Sequence, residues 1–300
     1  ADTRSNGGFF VEIDGDNTPN GNITIEATLD TTNVDPGTTA TYDATSADGA
    51  SVSGDFQIQS DDDGSQSDGV LTVDPDGGPD AYDTIQAAVN NAESGDTIEV
   101  TSGTYSEQVI VSGASNLTIT GSGASTEIQS PIDPDPVATD SIDRVTSTPL
   151  AVLGSTNVTV SGMEIDGQNQ GTGGEAFFGI FAENSSVTLS DLEVLNTTQN
   201  SDGSTSGNQA NNGIRLSTTD DADRSSIIRD VTVENFDKNA ITVLNNGSGN
   251  LSVEVTGSTV IGAGPTDATA QNGISLTGVS ATVTDNTVVN LSYTKDDANS

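Results

Sequence analysis

The sequence predicts an all-β fold, a right-handed parallel β-helix with an N-terminal capping helix, preceded by a small β-rich module. Three observations predict it. Short apolar strands recur with a period mostly in the twenties, small or turn-forming residues recur between them, and one amphipathic helix precedes the repetitive part. Such repeats are typical of solenoids, because a single repeat cannot bury its apolar side chains whereas stacked repeats can.

The apolar strand residues align in two lanes. In the first lane the steps between equivalent residues are 29, 39, 27 and 28 residues, and in the second each residue follows a Gly or an Ala. Coils stacked about 4.8 Å apart would join each lane into a continuous core. The first lane is Val160, Leu189, Ile228, Val255 and Val283, and the second is Ile180, Ile214, Ile241 and Ile274.

Two further lanes hold the residues expected at corners between strands. Gly supplies backbone freedom at a corner, and Asp or Asn can satisfy a turn N–H with its side chain. Stacked Asn side chains can also hydrogen-bond along the solenoid, which favours a structural role for them. One corner lane is Gly162, Asp191, Asp230, Gly257 and Asp285, and the other is Asn196, Asn235 and Asn290.

The domain organisation follows from these patterns. Residues 1–72 are expected to form the small β-rich module or collar, and residues 73–300 the β-helix. The capping helix is predicted over about residues 83–94, with Asp83 as N-cap and Gln86 completing a capping box. Its apolar residues form one stripe. An irregular β-sandwich is the alternative fold, but a sandwich would not predict matching corner residues at a recurring step.

The charge of the chain restricts its environment and its partners. The chain has 45 acidic and 7 basic residues, a net charge of −38, and no His or Cys. In molar salt the Debye length falls to about 3 Å, which screens the self-repulsion of such a surface. We therefore expect an extracellular or cell-surface protein of an extreme halophile. Nucleic acid is excluded as a partner because nothing basic could neutralise its phosphates, and no apolar run is long enough to predict a membrane span.

Eight Asn-x-Ser/Thr sequons are candidates for glycosylation, since export would expose them to the modifying enzymes. Some of these Asn side chains are instead expected to lie inside a coil, where no sugar could reach them. The sequon residues are Asn22, Asn116, Asn157, Asn184, Asn196, Asn246, Asn250 and Asn290.

The region that opens the repeats resembles the pectin lyase-like superfamily of right-handed β-helices. In that superfamily a capping helix is followed by a Gly-Asp-Thr-Ile strand and then by Gly-Thr-Tyr with Glu two residues after the Tyr, as at residues 95–98 and 103–107 here. The resemblance covers about residues 70–300 and implies the fold and a structural role for Tyr105. The superfamily contains lyases, hydrolases, esterases, epimerases, phage tailspikes and non-enzymatic surface proteins, so the fold does not settle function.

Compared with these relatives, the chain lacks a complete set of catalytic residues. Polygalacturonase-like hydrolysis pairs carboxylates with a His and an Arg-x-Lys, which are absent, and the catalytic motifs of pectin esterases are absent as well. Pectate lyases use Asp-bound calcium and an Arg base, for which Arg215 and Arg229 are the candidates. Arg215 has Phe181, Thr242 and Ser275 as lane equivalents, and neither Arg has a carboxylate in its lane. A surface ion pair is therefore the expected role of both, and no catalytic residue is predicted.

Two groups of residues are candidates for ligand contact. Phe177, Phe178 and Phe181 form the one aromatic cluster and, with Arg215, are glycan-contact candidates, although packing in the core or under a loop is the alternative. Acidic loop residues are candidates for calcium, although a chain with 45 acids produces such clusters freely. No other cofactor is predicted. The candidate metal ligands are Asp61, Asp63, Asp220, Asp221 and Asp223.

The end of the repeats shows no capping segment, so the strand edges of the last coil would be exposed. We expect self-association or neighbouring subunits to cover them, unless the natural chain continues. The sequence thus favours a structural glycoprotein of the cell surface, in a filament or surface layer, that binds polysaccharide or another surface glycan. A calcium-dependent polysaccharide lyase or related carbohydrate-active enzyme is the first alternative, and a trimeric viral tailspike-like adhesin is the second.

Overall fold

The structure is a computed structural model that describes residues 39–45, 51–57, 69–78, 81–139, 144–172 and 175–294. Contacts divide the chain into two units, Ala1–Asp63 and Gly64–Ser300. In the first unit, β1 (Thr39–Thr45) and β2 (Ser51–Gln57) form an antiparallel pair. The second unit is a right-handed parallel β-helix with one short helix. Its first strand lies at Val70–Val73, so the solenoid begins before the residue 73 that the sequence suggested.

The solenoid strands are short and are numbered in chain order. They are β3 (Val70–Val73), β4 (Thr97–Val100), β5 (Gly103–Ser106), β6 (Val109–Ser112), β7 (Thr118–Thr120), β8 (Thr126–Gln129), β9 (Ala138–Thr139), β10 (Val145–Ser147), β11 (Leu150–Leu153), β12 (Val158–Asp166), β13 (Ala176–Glu183), β14 (Val187–Leu195), β15 (Asn212–Thr218), β16 (Arg224–Arg229), β17 (Thr232–Glu234), β18 (Asn239–Asn245), β19 (Leu251–Thr256), β20 (Thr259–Ile261), β21 (Asn272–Thr277), β22 (Ser280–Thr284) and β23 (Thr287–Val289).

Each turn of the solenoid contributes strands to three faces, which we call A, B and C in chain order. Face A contains β3, β4, β7, β16, β19, β22 and the first halves of β12 and β14. Face B contains β5, β8, β17, β20, β23 and the second halves of β12 and β14. Face C contains β6, β11, β13, β15, β18 and β21. Because successive strands on a face pair in parallel, equivalent residues of successive turns lie over one another.

The register of these parallel pairs confirms both apolar lanes. Val160 pairs with Leu189, and the lane continues through every predicted member to Val283. The second lane pairs in the same way from Ile180 to Ile274. Its residues belong to one continuous core with the first lane, and only the last coil departs from full burial, where Val283 is 44% exposed.

The corner between faces A and B has the left-handed backbone that its residues favour. All five members of the predicted corner lane have φ between 53° and 66°. At Gly121, on the preceding turn, an added Cβ would lie 2.4 Å from the carbonyl oxygen of Gly162, so the two turns approach too closely for any side chain there.

The Asn corner after face B forms a ladder over part of its length. The side-chain amide of Asn235 donates to Asn196 Oδ1 at 2.6 Å, as the sequence predicts. Asn290 belongs to the same corner, but Gly262 occupies the intervening turn, so the ladder does not extend to Asn290. A second ladder, which the sequence did not reveal, begins face C: Asn272 donates to Asn239, and Asn239 donates to Asn212.

The capping helix is shorter than predicted. Helix α1 spans Ile85–Asn91, and its N-cap is Thr84, whose Oγ1 accepts from the backbone N–H of Ala87 at 3.1 Å. Asp83 is therefore not the N-cap, and Gln86 does not complete a capping box. Its side-chain oxygen instead accepts from the backbone N–H of Ile110 on β6. Two N–H groups of the first turn donate to the Glu107 carboxylate, so a distant strand end supplies the acceptor that a local box would have provided.

The longest excursion from the coils, between β8 and β11, packs over face C. Its strand β10 pairs in parallel with β13, and β9 pairs with β10. A second excursion, between β14 and β15, is held by Asp237, which is fully buried. Asp237 accepts from the backbone N–H groups of Gln199 and Ser206 and from the side chain of Asn211. Within the described part of the chain, no helix is long and apolar enough to span a membrane.

Candidate functional site

Face B carries a row of carboxylates on three successive turns. Glu127 on β8 pairs with Glu164 on β12, and Glu164 pairs with Glu193 on β14. Strand alternation places their side chains outward, because Ile128, Ile165 and Val194, which follow them, are buried in the core. We call Glu127, Glu164 and Glu193 the carboxylate row. The parallel register therefore brings like charges within one strand spacing of each other.

Asp166 joins two members of this row in a compact cluster. Carboxylate oxygens of Glu127, Glu164 and Asp166 all lie within 4.8 Å of one another, and we call these three residues the carboxylate cluster. Asp166 is 7% exposed, whereas the two Glu are half-buried. Among the described residues, this is the group whose geometry would allow three protein carboxylates to bind one cation.

Neighbouring amides and hydroxyls fix the orientation of the cluster. Glu127 accepts from Gln129 Nε2 at 2.7 Å and from Thr104 Oγ1 at 3.2 Å. Asp166 Oδ1 accepts from the backbone N–H of Gln168 and from Asn196 Nδ2, both at 2.8 Å. Asn196 is thus part of the corner ladder and also positions a carboxylate of the site. These contacts hold two of the three carboxylates in place before any ligand binds.

The electrostatics of the cluster disfavour ionisation of Glu164. Burial raises the pKa of Glu164 above its usual value, and the negative charges of Glu127, Asp166, Glu193 and Glu234 raise that pKa further. A bound cation would reverse the effect of these neighbouring charges. Oxygen ligands of this kind suit a hard cation such as calcium, which takes six to eight oxygens, typically at about 2.3–2.6 Å. Further ligands would come from water or from a bound molecule.

A row of hydroxyls runs along face A beside the carboxylate row. Thr118, Thr159 and Thr188 are successive register partners, and we call them the hydroxyl row. A second outward position, two residues further along each strand, holds Thr120 and Ser161, whose hydroxyls are 3.2 Å apart. A corner at residues 121, 162 and 191, left-handed at 162 and 191, separates the two faces. Hydroxyls and carboxylates of the same turns therefore flank one edge of the solenoid.

The aromatic candidates for glycan contact are packed under loops. Phe177, Phe178 and Phe181 are at most 1% exposed. Phe178 and Phe181 pack with each other at a ring distance of 5.3 Å and with apolar residues of the excursions, outside the main core. Arg215 lies over Phe178 at 5.5 Å and is 5% exposed. Its lane equivalents are those expected, but the expected surface position is wrong, because the excursions cover this part of face C.

The loop aspartates proposed as metal ligands have other contacts. Asp220 forms a two-point ion pair with Arg224, which lowers the pKa of that carboxyl. Asp223 accepts two hydrogen bonds from Asn250, through its backbone N–H and its side chain. Asp221 is exposed and does not join them in a three-carboxylate group among the described residues. Asp61 and Asp63 lie outside the described residues.

The sequon residues differ in accessibility. Asn116, Asn157, Asn246, Asn250 and Asn290 are exposed, while Asn184 and Asn196 are half-buried. The Nδ2 atom of Asn184 donates to Thr219, and that of Asn196 donates to Asp166. Asn22 lies outside the described residues. Most of these Asn also share a left-handed backbone, which fits the structural corner role.

Comparison with known proteins gives a likeness of fold. No family model matches the chain, and no curated protein sequence matches it. Among solved structures, the chain is similar to pectin methylesterases. A pectin methylesterase mutant in complex with a hexasaccharide is 12% identical, with a TM-score of 0.39 over 68% of this chain and 69% of that one. At this level the likeness concerns the parallel β-helix and carries no argument about activity.

Two further pectin methylesterase structures show the same degree of similarity. PemA from Erwinia chrysanthemi is 11% identical, with a TM-score of 0.40 over 70% of each chain. The enzyme from Aspergillus niger is 17% identical, with a TM-score of 0.35 over 78% of this chain and 88% of the other.

Sequence reasoning missed the carboxylate row although part of its signal was visible. The aligned repeats at residues 158–165 and 187–194 place Glu164 and Glu193 at the same position. Glu127 was hidden because an excursion separates β8 from β12, which lengthens the step to 37 residues. Asp166 lies just past the aligned segment. A comparison of outward positions in the aligned repeats would have identified Glu164 and Glu193, but it would have missed Glu127 and Asp166.

Proposed function

We propose that this chain is a non-catalytic surface solenoid of an organism living in concentrated salt, and that it binds polysaccharide along the edge between faces A and B. The observation that supports this function is the alignment of the hydroxyl row with the carboxylate row on the same three turns. Stacked repeats offer an extended surface, which suits an extended polymer better than a compact ligand.

The chemistry of the two rows matches that of a sugar chain. Hydroxyl side chains donate and accept hydrogen bonds, and carboxylates accept strong ones from sugar hydroxyls. Successive turns repeat these groups about every 4.8 Å along the solenoid. An uncharged polysaccharide could bind these rows directly. An acidic polysaccharide would be repelled by a chain of net charge −38 unless a cation at the carboxylate cluster bridged the two.

The surface charge supports the proposed environment. A net charge of −38 on 300 residues requires strong screening for a compact state, and molar salt provides it. Exposed sequons at the corners, such as Asn157 and Asn290, support a glycosylated exterior in a surface or filament assembly. The location outside the cell therefore forms part of this proposal.

The test is polysaccharide binding in molar salt, measured by isothermal calorimetry with a panel of neutral and acidic polymers. The triple variant Thr118→Val, Thr159→Val and Thr188→Val removes the hydroxyl row at nearly constant volume. We expect it to weaken binding of a neutral polymer about tenfold or more, since each lost hydrogen bond contributes about 0.5–1.5 kcal/mol. Glu254→Gln, an exposed carboxylate change away from the cluster, is the control. If the unmodified chain binds no polymer of the panel, the proposal is wrong.

A calcium-dependent polysaccharide lyase or related enzyme is the second candidate. Burial and the neighbouring carboxylates raise the pKa of Glu164, which is the direction that suits a general acid. Incubation of acidic polysaccharides in molar salt, with and without calcium, distinguishes the two functions. If the unmodified chain forms unsaturated or shortened products and Glu164→Gln forms none, the chain is an enzyme and the non-catalytic binding function is wrong.

A further inference from the structure

One outward lane of face A carries hydroxyl side chains on most turns and a guanidinium on one. In this lane Arg229, on β16, lies between Ser190 on the preceding turn and Thr256 on the following turn. The lane runs beside the corner between faces A and B, and we call it the edge lane. It consists of Glu99, Thr120, Ser161, Ser190, Arg229, Thr256 and Thr284.

Arg229 is exposed, and its guanidinium carries five N–H donors. Within the described part of the chain it forms neither an ion pair nor a side-chain hydrogen bond, so the surface ion pair expected from the sequence is absent there. Asp230 follows it at the corner, but Asp230 Oδ1 lies over Gly257 of the next turn, 2.5 Å from where a Cβ of that glycine would be. Arg224, by contrast, is paired with a carboxylate of its own loop. The donors of Arg229 are therefore available to a ligand.

The facing lane of face B changes in character at the same turn. The carboxylate row occupies the three preceding turns, and Glu193, its last member, pairs with Thr232 on the turn of Arg229. Thr259 and Thr287 continue that lane. Along the edge between faces A and B, a stretch with hydroxyls on one side and carboxylates on the other is thus followed by a turn with a guanidinium and a hydroxyl.

Building on the proposed polysaccharide function, we propose that Arg229 binds the carboxylate of a uronic acid residue in an otherwise neutral glycan. The neutral sugars would lie over the hydroxyls of the three preceding turns. A planar guanidinium matches a carboxylate in a two-point contact, which is stronger than a hydrogen bond between neutral groups. From Thr120 to Arg229 there are three register steps of about 4.8 Å, or about 14 Å along the solenoid, which is long enough for a short run of sugars.

The charges around Arg229 limit how many carboxylates the glycan can carry. Glu99 lies at the other end of this stretch of the edge lane, and the carboxylate row flanks the turns between Glu99 and Arg229. A uronic acid on every sugar would place further carboxylates against these groups, whereas a single one at Arg229 meets a cation. In molar salt the Debye length of about 3 Å weakens repulsion by more distant charges and leaves a contact at hydrogen-bond distance largely intact. A glycan with few uronic acids is therefore favoured over a uniformly acidic polymer.

The test is calorimetry in molar salt with a neutral glucan and with the same glucan after a small share of its primary alcohols has been oxidised to carboxylates. We expect the unmodified chain to bind the oxidised glucan at least about tenfold more tightly, because a charge-assisted contact replaces a neutral one. Arg229→Gln should lose this preference and keep its affinity for the neutral glucan. Lys238→Gln makes the same change in net charge just before β18, away from the edge lane, and should keep the preference.

The outcomes distinguish the role of Arg229 from polysaccharide binding in general. If the unmodified chain binds both glucans equally, or if Arg229→Gln weakens both to the same extent, the proposed role of Arg229 is wrong and polysaccharide binding stands. If the unmodified chain binds neither glucan, the proposed role of Arg229 is also wrong, and the wider panel of polymers decides whether the chain binds polysaccharide.

A second measurement observes Arg229 in the unmodified chain. The chain contains five arginines, whose side-chain Nε–H groups give separate NMR signals, and the signal missing from Arg229→Lys belongs to Arg229. Methyl glucuronide should shift that signal in molar salt, and methyl glucoside, which lacks the carboxylate, should not. If methyl glucuronide shifts no arginine signal, or shifts only those of other arginines such as Arg144 or Arg224, the proposed role of Arg229 is contradicted.

Discussion

Glu127 and Glu164 are register partners on adjacent parallel strands, and both point outward beside the buried Asp166 carboxylate. Burial and neighbouring charge therefore raise the pKa of Glu164. A carboxyl whose pKa is raised in the folded state favours the protonated form. Its contribution to stability is present below the pKa of the unfolded chain, about 4.3 for Glu, and is lost as the pH rises through the higher folded value.

Glu164→Gln should therefore stabilise the chain at neutral pH in the absence of divalent cations. Gln resembles the protonated Glu, so the gain in unfolding free energy should be close to zero at about pH 4 and positive at about pH 7. Because the group is partly exposed, the gain should stay below about 1 kcal/mol. Urea unfolding in molar salt at several pH values measures it. A variant that is less stable than the parent at pH 7 contradicts this account of the cluster.

In the presence of calcium, Glu164→Gln should make the chain less stable than the parent, the opposite of its effect without divalent cations. If the carboxylate cluster binds calcium only in the folded chain, free calcium at 100 times its dissociation constant adds about 2.7 kcal/mol of stability. Thermal unfolding with and without calcium should show this gain in the unmodified chain and in Glu254→Gln, and should lose it in Glu164→Gln. Equal gains in all three proteins would mean that calcium acts on the general surface charge.

The fold was predictable because its signals are local and repeated. Val160 and Leu189, or Asp191 and Asp230, occupy equivalent positions on successive turns although the steps differ, and stacking brings such positions into register. The burial of Arg215 was not predictable in the same way. Alternation places it outward from face C, but whether solvent reaches it depends on excursions whose path has no repeat. The predicted capping box was wrong for a related reason, since the Glu107 carboxylate that accepts from the first turn of the helix lies 21 residues from Gln86 in sequence.

Stability should depend steeply on salt concentration. Two like charges about 8 Å apart repel by about 0.5 kcal/mol in water, and many such pairs occur on a chain of net charge −38. Lowering the salt from molar to about 0.1 M lengthens the Debye length from about 3 to about 10 Å and restores these repulsions. We expect the melting temperature, followed by circular dichroism, to fall by more than about 10 °C. Such a fall corresponds to a loss of about several kcal/mol in the free energy of unfolding. Replacement of salt by sucrose at the same osmolality is the control, and it should not restore the original value.

Glu107 should contribute strongly to stability, because it connects α1 to the end of the solenoid. Its two oxygens accept from the backbone N–H groups of Ile85 and Gln86 at 2.8 and 2.9 Å, and these contacts attach α1 to the end of the solenoid. Glu107→Ala leaves both donors without a partner and should lower the unfolding free energy by about 1–3 kcal/mol. Glu93→Ala, an exposed Glu just after the helix, should change it by less than about 0.5 kcal/mol.

Asp237 should be the residue on which the excursion between β14 and β15 depends. Its carboxylate is fully buried and accepts from three donors, the N–H groups of Gln199 and Ser206 and the amide of Asn211. Asp237→Asn would turn one of its acceptors into a donor that faces another donor, at a cost of about 1–3 kcal/mol. Limited proteolysis should then cut between residues 199 and 206 well before the coils unfold.

Asp230→Asn is the matched control for this substitution. Asp230 is an exposed corner residue with φ of 53°, a conformation that Asn tolerates as well as Asp does. It should leave both the proteolysis pattern and the unfolding free energy nearly unchanged. If Asp237→Asn and Asp230→Asn behave alike, the excursion is held by its apolar contacts over face C, and the buried carboxylate does not set its position.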